Sequence, residues 1–212
     1  MIETSNSPVR TMNIQNCDKF NVDNLKLEKP TKVDDVYVSN INFSLQTPKL
    51  LLNKISKKIT IILDDKMEYI LTQFDNKIIT LISENSEEFF EDKISIEDAE
   101  EIYKSSIKVG KNDTKMSLSI NKNLSIFNKH KEELKLDSLS QDDIIICLLK
   151  CKKIVFYKSH CEPLWEVMQI KVKEVELNTK SYLFINDPND IHDNQNDSDS
   201  DDTIIKKINI KE

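Results

Sequence analysis

Lysines and aromatic side chains occur close together between residues 150 and 173, in a part of the chain with the composition of β-strands. Lysine ammonium groups can follow phosphates, and aromatic rings give bases a surface for stacking. Together they are typical of proteins that bind single-stranded nucleic acid. In the strand predicted after Pro163, alternation puts Trp165 and Lys171 on one face and the apolar Ile170 on the other. The mixed face predicts a binding surface above an apolar core.

A second segment, YKSSIK at residues 103–108, adds two lysines and two hydroxyls that could meet phosphate. Termination of the preceding helix explains this segment equally well. For the aromatic residues a simpler interpretation also stays open, in which Phe156 and Trp165 belong to the core and the lysines are only solvated. The candidate nucleic-acid contacts are Lys150, Lys152, Lys153, Phe156, Tyr157, Lys158, Trp165, Lys171, Lys104 and Lys108.

Catalytic chemistry has little support in the sequence. The chain has one glycine, Gly110, whereas a P-loop, a dinucleotide fingerprint and a nucleophile elbow each need several. Cys147 and Cys151, followed by His160 and Cys161, could suggest zinc. Their apolar, strand-like surroundings instead favour cysteine as a small hydrophobe. We therefore expect no enzymatic activity, catalytic residue, metal or cofactor, with a zinc-dependent module as a distant alternative.

Negative charge is concentrated near one end of the chain. The 212 residues include 37 acidic and 30 basic residues, for a net charge of −7. Seven aspartates lie in residues 187–202, which contain no Lys or Arg, so the rest of the chain is balanced. Such a run predicts a flexible acidic tail that competes with nucleic acid for a basic groove or recruits basic partners.

The strands expected to position these residues lie on both sides of a helical region. Alternating or β-branched apolar residues predict them. Residues 121–141 form a polar insert with weak helical character. The predicted strands cover residues 36–47, 57–63, 115–120, 143–150, 152–158, 164–177 and 181–185.

Two helices are predicted between the strands. Apolar residues at three- and four-residue steps indicate a helix from Asp65 onward. Ser95 followed by Asp98 resembles a capping box that begins a second helix. Gly110 is expected to end that second helix in a left-handed conformation. Because glycine is so scarce, Asn, Asp and Lys are expected to occupy turn positions elsewhere.

This order of elements predicts an α+β or mostly β, barrel-like domain with a two-helix insertion over residues 35–186. Residues 1–34 are polar and contain Pro8 and Pro30, which predicts a flexible N-terminal arm. Residues 187–212 are expected to be a disordered acidic tail. Without an apolar run of membrane length or an apolar N-terminal segment, a soluble protein that is not secreted is expected.

Three stretches, in this order, resemble a known family: LQTPKL at 45–50, SEEFFEDKISIEDAEEIYKSSIK at 86–108 and LWEVMQIKV at 164–172. They are similar to single-stranded DNA-binding proteins of nucleocytoplasmic large DNA viruses, the giant viruses. That family is similar in turn to phage replication single-strand binders. The resemblance covers residues 36–172 and implies an OB-fold-like barrel. It departs from the family at Glu166, where a lysine often follows the tryptophan.

The resemblance implies a non-catalytic, sequence-tolerant single-stranded DNA-binding protein that acts in viral DNA replication, recombination or repair. It places the protein in the virion or in the viral factory of the host cell cytoplasm. The expected partners are single-stranded DNA and, through the acidic tail, viral replication proteins. No membrane is expected, and self-association stays open. The alternative is a structural or adaptor protein of the virion or viral factory that binds protein rather than DNA.

Overall fold

Strands dominate the part of the chain that the computed structural model describes, residues 14–173. The strands are β1 (Ile14–Asn16), β2 (Thr31–Val33), β3 (Val36–Gln46), β4 (Leu50–Ile55), β5 (Lys58–Ile62), β6 (Ile107–Val109), β7 (Thr114–Phe127), β8 (Glu133–Leu134), β9 (Ile144–Phe156) and β10 (Cys161–Lys173). The helices are α1 (Asp65–Glu84), α2 (Ser86–Phe90) and α3 (Ile96–Ile102). None of these helices has the length and apolarity needed to cross a membrane.

The strands join into one sheet that closes on itself. Its order is β1-β3-β9-β10-β7-β5-β4, and β4 also pairs with β9 through Leu50–Ile145 and Leu51–Ile144. This second pairing closes a ring of five strands: β9, β10, β7, β5 and β4. The short strands β2, β6 and β8 pair along the edges of β3 and β7. Buried side chains from the ring and from α1 form one apolar core.

The predicted fold class is confirmed as mostly β with a helical insertion, but individual elements differ. β3 and β5 lie where the alternation predicts them. β4 was missed, because its apolar residues are consecutive and give no period of two. β7 continues to Phe127, so the first part of the predicted polar insert is strand. The insertion has three helices rather than two, because SEEFF forms the short α2.

The two predicted helix starts are confirmed by their caps. The Asp64 side chain accepts a hydrogen bond of 2.8 Å from the backbone N–H of Met67 at the start of α1. Ser95 and Asp98 form the reciprocal bonds of a capping box at the start of α3. Both caps satisfy backbone N–H groups that have no partner within the helix.

The prediction that Gly110 ends the second helix is wrong. α3 ends at Ile102, and Tyr103 caps it in an extended conformation. Gly110 instead lies in the turn between β6 and β7, and its φ is not positive. Its N–H donates to the Asp113 carbonyl at 2.8 Å. A Cβ at this position would come within 2.8 Å of that oxygen, so lack of space requires glycine here.

Other residue types occupy the left-handed positions, as the scarcity of glycine predicts. Asp34, Glu91, Lys131 and Asp142 have φ values between 52° and 69°. Asp34 lies between β2 and β3, and Glu91 follows α2. Glycine would adopt these conformations without the steric cost that a Cβ imposes.

The sheet begins earlier in the chain than the predicted boundary at residue 35. β1 pairs in parallel with β3, from Ile14–Ser44 to Asn16–Gln46, and β2 pairs antiparallel with β3. Residues 14–33, which the sequence assigns to the flexible arm, therefore add two strands to the sheet. Residues 1–13, the predicted strand at 181–185 and the acidic tail lie outside the described residues.

A bulge in β10 reverses the predicted faces of this strand. Val167 is opposite Leu149 on β9 and Gln169 is opposite Leu148, so Met168 is an extra residue. Inward and outward positions therefore alternate in one phase before Met168 and in the opposite phase after it. Trp165 consequently points into the core together with Ile170, although strict alternation assigns them to opposite faces. The predicted stacking role of Trp165 is wrong for this reason.

Candidate nucleic-acid interface

Three lysines of β9 lie on the outer side of the ring. Cys151 and Ile154 are both fully buried, although three positions separate them. This spacing arises because β9 has an extra residue, Lys152, where Lys153 pairs with Leu164 and Cys151 pairs with Trp165. The bulge leaves Lys152 exposed and Lys153 half-buried, next to the half-buried Lys150. A local irregularity thus brings three ammonium groups together.

These lysines border a groove that we call the strand groove, with a volume of about 510 Å³. One wall comes from β3, where Asn40 pairs with Lys153. The other wall comes from β10, through Leu164 and Glu166. The strand groove is lined by Glu28, Asn40, Ile41, Asn42, Lys150, Lys152, Lys153, Leu164 and Glu166.

Glu166 neutralises part of the positive charge of the strand groove. Its Oε2 lies 2.7 Å from Lys152 Nζ and accepts a second hydrogen bond of 2.7 Å from Asn121 Nδ2. Partial burial raises the pKa of the Glu166 carboxyl. The hydrogen bonds from Lys152 and Asn121 and the charges of Lys152 and Lys150 outweigh burial, so this pKa lies below its ordinary value. The carboxylate therefore stays ionised and paired at neutral pH.

A second, smaller groove adjoins the strand groove at Leu164, which lines both. We call it the serine groove, and its volume is about 120 Å³. Three exposed lysines border it, one each from β5, from the segment after α3 and from β6. The serine groove is lined by Lys58, Lys104, Ser105, Ser106, Lys108, Ser117, Ser119, Glu162, Pro163, Leu164 and Trp165. The two grooves together are called the lysine surface.

The YKSSIK segment is held on the core by a buried carboxylate. Asp75 of α1 is 5% exposed and accepts hydrogen bonds from the Tyr103 hydroxyl at 2.7 Å and the Ser105 hydroxyl at 2.6 Å. The backbone N–H of Lys104 donates to the Cys161 carbonyl at 2.8 Å. These contacts fix the backbone that carries Lys104 and Lys108. Neither helix termination nor phosphate contact alone accounts for the segment.

Burial has the largest effect on the pKa values of Asp75 and Tyr103. It raises the pKa of Asp75, against the hydrogen bonds from Ser105, from Tyr103 and from the backbone of Ser106. Burial also raises the pKa of the Tyr103 hydroxyl well above its usual value, and the neighbouring Asp75 charge raises it further. Tyr103 is therefore a protonated donor at all ordinary pH values, as the hydrogen bond to Asp75 requires.

The predicted aromatic contacts separate into core and surface. Trp165 is 3% exposed and packs against Phe74, with ring centroids 4.9 Å apart. Phe156 is 7% exposed and packs edge-on against Phe90. The predicted stacking role of Phe156 is therefore wrong, as it is for Trp165, because both rings fill the core. Tyr157, which follows β9, is 42% exposed.

Tyr157 lies close to the serine groove. Its ring stacks on His160, with centroids 4.6 Å apart and planes 19° from parallel. Partial burial raises the pKa of its hydroxyl. The negative charge of Glu162 raises this pKa further, and so does the hydrogen bond between the hydroxyl and Glu162. Because Glu162 lines the serine groove, this contact puts Tyr157 at its border.

Two predicted lysines lie elsewhere. Lys158 is in the turn between β9 and β10 and lines neither groove. Lys171 borders a third, apolar groove of about 530 Å³, to which Ile14, Phe127, Ile146 and Leu148 contribute. In register, Lys171 is opposite Ile146, six positions before Lys152 along β9. At about 3.3 Å per residue this is roughly 20 Å from Lys152 and roughly 13 Å from Lys150, the nearest lysine of the strand groove.

Sequence reasoning missed several residues of the lysine surface. Lys58 lies in the strand predicted at 57–63, and Ser117 and Ser119 lie in the strand predicted at 115–120. Asn40 and Asn42 were assigned to one strand without a partner. The pairing of Lys58 with Ser119, across β5 and β7, brings two of them together. No local signal predicts that pairing, because the two residues are far apart in sequence.

The cysteines suggested as zinc ligands lie in the core. Cys147, Cys151 and Cys161 are fully buried. Burial raises the pKa of the Cys147 thiol to about 12, and burial with the Glu162 charge does the same for Cys161. Zinc binds thiolates, so this environment opposes a zinc site. Within residues 14–173 no three acidic, His or Cys side chains are grouped as metal ligands.

Comparison with known proteins gives matches in structure and at the level of a sequence family. No curated protein matches the sequence. The single-stranded DNA-binding protein of bacteriophage Enc34 has similar solved structures. The C-terminal truncation has a TM-score of 0.44 and 11% identity over 71% of this chain and 96% of that chain. Its complex with single-stranded DNA has a TM-score of 0.44 and 11% identity over 71% of this chain and 97% of that chain.

A sequence family matches one continuous part of the chain. The match extends over residues 48–186. It takes in all five strands of the ring, the helical insertion and the YKSSIK segment. More than half of the 212 residues lie within it. The chain therefore belongs to the family of unknown function DUF5871.

Proposed function

We propose that the protein binds single-stranded DNA through the lysine surface, without catalysis and with little sequence preference. The observation that carries this proposal is the junction of two lysine-lined grooves at Leu164. Their lysines come from β5, from the segment after α3, from β6 and from β9. Within residues 14–173, no ion pair engages Lys58, Lys104, Lys108, Lys150 or Lys153, so five positive charges are available to a polyanion.

The size and composition of the lysine surface suit a single strand. From Lys58 on β5 to Asn40 on β3, the surface crosses four strand spacings, about 19 Å at roughly 4.8 Å each. This length accommodates a few nucleotides of an extended strand. Lysines act on phosphate as point charges, whereas base readout depends on bidentate partners such as Arg. Binding is therefore sequence-tolerant.

The biological role that follows is the coating of DNA strands exposed during replication, recombination or repair. The closed five-stranded ring is of OB type in this proposal, with the lysine surface as its binding face. Tyr157 is the exposed aromatic residue at the border of the serine groove and serves as a stacking group for a base.

Titration of a fluorescent oligo-dT with the full-length protein tests the proposal. Fluorescence anisotropy at several salt concentrations reports affinity and counterion release together. We expect binding that weakens steeply with salt, by about 0.7 in the logarithmic slope for each phosphate contacted. Oligo-dA and mixed sequences should bind within about tenfold of oligo-dT if stacking alone distinguishes them. Absence of binding at low salt would overturn the proposal.

An adaptor that binds protein is the second candidate, and the apolar groove beside Ile146 and Leu148 favours it. An adaptor would use this groove and leave the lysine surface without a ligand. Replacing Leu148 with Lys would then abolish partner binding, whereas the affinity for oligo-dT would remain that of the unmodified chain. A chain that ignores oligo-dT but loses a protein partner on this substitution would favour the adaptor.

A further inference from the structure

The serine groove differs from the strand groove in ways that indicate a more specific role. We infer that it holds a single phosphate group of the bound DNA strand. This inference rests on the proposed function and adds the position of one phosphate to it. At about 120 Å³, the serine groove has roughly four times the share of volume that a water occupies in the liquid, about 30 Å³. This space is enough for one tetrahedral oxyanion.

Positive charge converges on the serine groove from three elements. Lys58 begins β5, Lys104 follows α3 and Lys108 lies in β6. All three are exposed, and no ion pair engages them among residues 14–173. In the strand groove, by contrast, Glu166 already neutralises Lys152. A phosphate in the serine groove meets less competition from protein carboxylates.

Serine hydroxyls supply hydrogen-bond donors for this phosphate. We call the serine groove with these donors the phosphate seat. Ser106 Oγ accepts a hydrogen bond of 2.8 Å from Trp165 Nε1, which leaves its own hydrogen free to donate. Ser117 Oγ lies 3.3 Å from Thr60 Oγ1, which can act as its donor. Ser119 lines the groove beside these two. A phosphate oxygen accepts such bonds and donates none, so the chemistry is complementary.

One serine of the segment serves the fold instead. Ser105 donates to Asp75 and accepts from the backbone N–H of Ile107 at 3.0 Å. Its contacts hold the loop in place and leave Ser106 directed at the groove. Glu162 is the carboxylate that lines the serine groove, and it forms a hydrogen bond with the Tyr157 hydroxyl. The seat is therefore positioned by buried contacts and does not depend on flexible lysines alone.

The single tryptophan of the chain provides a direct reporter. The Trp165 indole N–H donates to Ser106, so phosphate bound by the Ser106 hydroxyl changes the hydrogen bond that the indole senses. In a ¹H–¹⁵N spectrum of the full-length protein, one indole resonance is expected. Titration with oligo-dT should shift it progressively, and the shift should saturate together with the anisotropy change. Sodium chloride at matched ionic strength should not reproduce it.

Substitutions of residues that line the serine groove test the phosphate seat through the affinity for DNA. Ser119→Ala should weaken oligo-dT binding about threefold and reduce the saturated indole shift. Lys58→Gln should weaken binding similarly and lower the logarithmic salt slope by about 0.7, the value for one phosphate. Ser125→Ala is the control, because Ser125 is a half-buried serine of the same strand that lines neither groove.

The outcomes separate the two proposals. Without an anisotropy change, the chain does not bind the strand and the proposed function fails. With an anisotropy change but a stationary indole resonance, the strand binds elsewhere and the phosphate seat is overturned. Equal affinities for the Ser119→Ala, Lys58→Gln and Ser125→Ala variants would overturn it as well.

Discussion

The inner and outer faces of β9 and β10 contain the two residue types that the sequence brings together, aromatic rings and lysines. On the inner face, Trp165 packs on Phe43 and Phe74 in the core. On the outer face, Lys150 and Lys152 line the strand groove. Bulges in both strands separate the two types, so proximity in sequence does not become proximity in space. A stacking group must instead be sought among aromatic residues beyond the strand ends.

Trp165→Ala tests the inner face and has the largest expected effect. Removing a fully packed indole should lower the free energy of unfolding by about 3–5 kcal/mol, as measured by urea titration followed by circular dichroism. Trp165→Phe should cost less stability, because it keeps a packed ring, and should lower the affinity for oligo-dT at most about threefold, because it removes the indole N–H that donates to Ser106. A Trp165→Ala protein that is fully stable but cannot bind DNA would contradict the assignment of Trp165 to the core.

Removal of Lys150, Lys152 and Lys153 tests the outer face. Replacing all three with Ala should weaken oligo-dT binding on the order of 30-fold at low salt. It should lower the logarithmic salt slope by about 1.4, because Lys152 is already paired with Glu166 and two unpaired lysines are lost. The free energy of unfolding should change little, because these side chains are outside the core. The control replaces Lys131 and Lys171, which border the apolar groove. An equal loss of affinity in the control would remove the distinction between the two grooves.

Tyr157→Ala tests the exposed aromatic residue that follows β9. If a base stacks on this ring, affinity should fall by about 1 kcal/mol, roughly fivefold, in anisotropy titrations. Tyr157→Phe is the matched variant, since it keeps the ring and removes the hydroxyl that contacts Glu162. It should bind like the unmodified protein. A loss in both variants would assign the effect to the hydroxyl rather than to stacking.

Glu166→Gln has the smallest expected effect, and its direction is opposite. The substitution frees Lys152 from its ion pair, while the amide oxygen can still accept from Asn121. Affinity for oligo-dT should rise about threefold, with a steeper salt dependence. The cost in stability should stay below about 1 kcal/mol, because the Lys152 side chain is 41% exposed and solvent screens the pair. Unchanged affinity would indicate that Lys152 does not face the bound strand.

Local patterns in the sequence predicted most of the elements but not their faces. The caps at Asp64 and Ser95 depend on neighbouring residues, so the helix starts could be predicted. Strict alternation failed in β10, because the extra residue at Met168 is defined only by pairing with β9. The predicted role of Gly110 failed because the oxygen that excludes a Cβ belongs to Asp113, in a turn that is defined by the pairing of β6 with β7.

The candidate site was predictable only where its residues lie in one stretch. Lys150, Lys152 and Lys153 are together in sequence and remain together in the fold. Lys58 reaches the site through the pairing of β5 with β7, which no local pattern indicates. The sequence predicts Lys171 as a contact because it follows Trp165 closely. In the fold, Lys171 lies further along β10, beside the apolar groove and away from the lysine surface. Distance along a strand, rather than residue type, decides which lysines belong to the surface.

Lysine footprinting tests the central claim most directly. Surface amines of the full-length protein are acetylated with and without saturating oligo-dT, and mass spectrometry compares the reactivity of each lysine. Protection is expected at Lys58, Lys104, Lys108 and Lys153, with Lys131 and Lys171 as reactive as in the free protein. Protection of Lys131 and Lys171, with the lysine surface still reactive, would contradict DNA binding at the lysine surface.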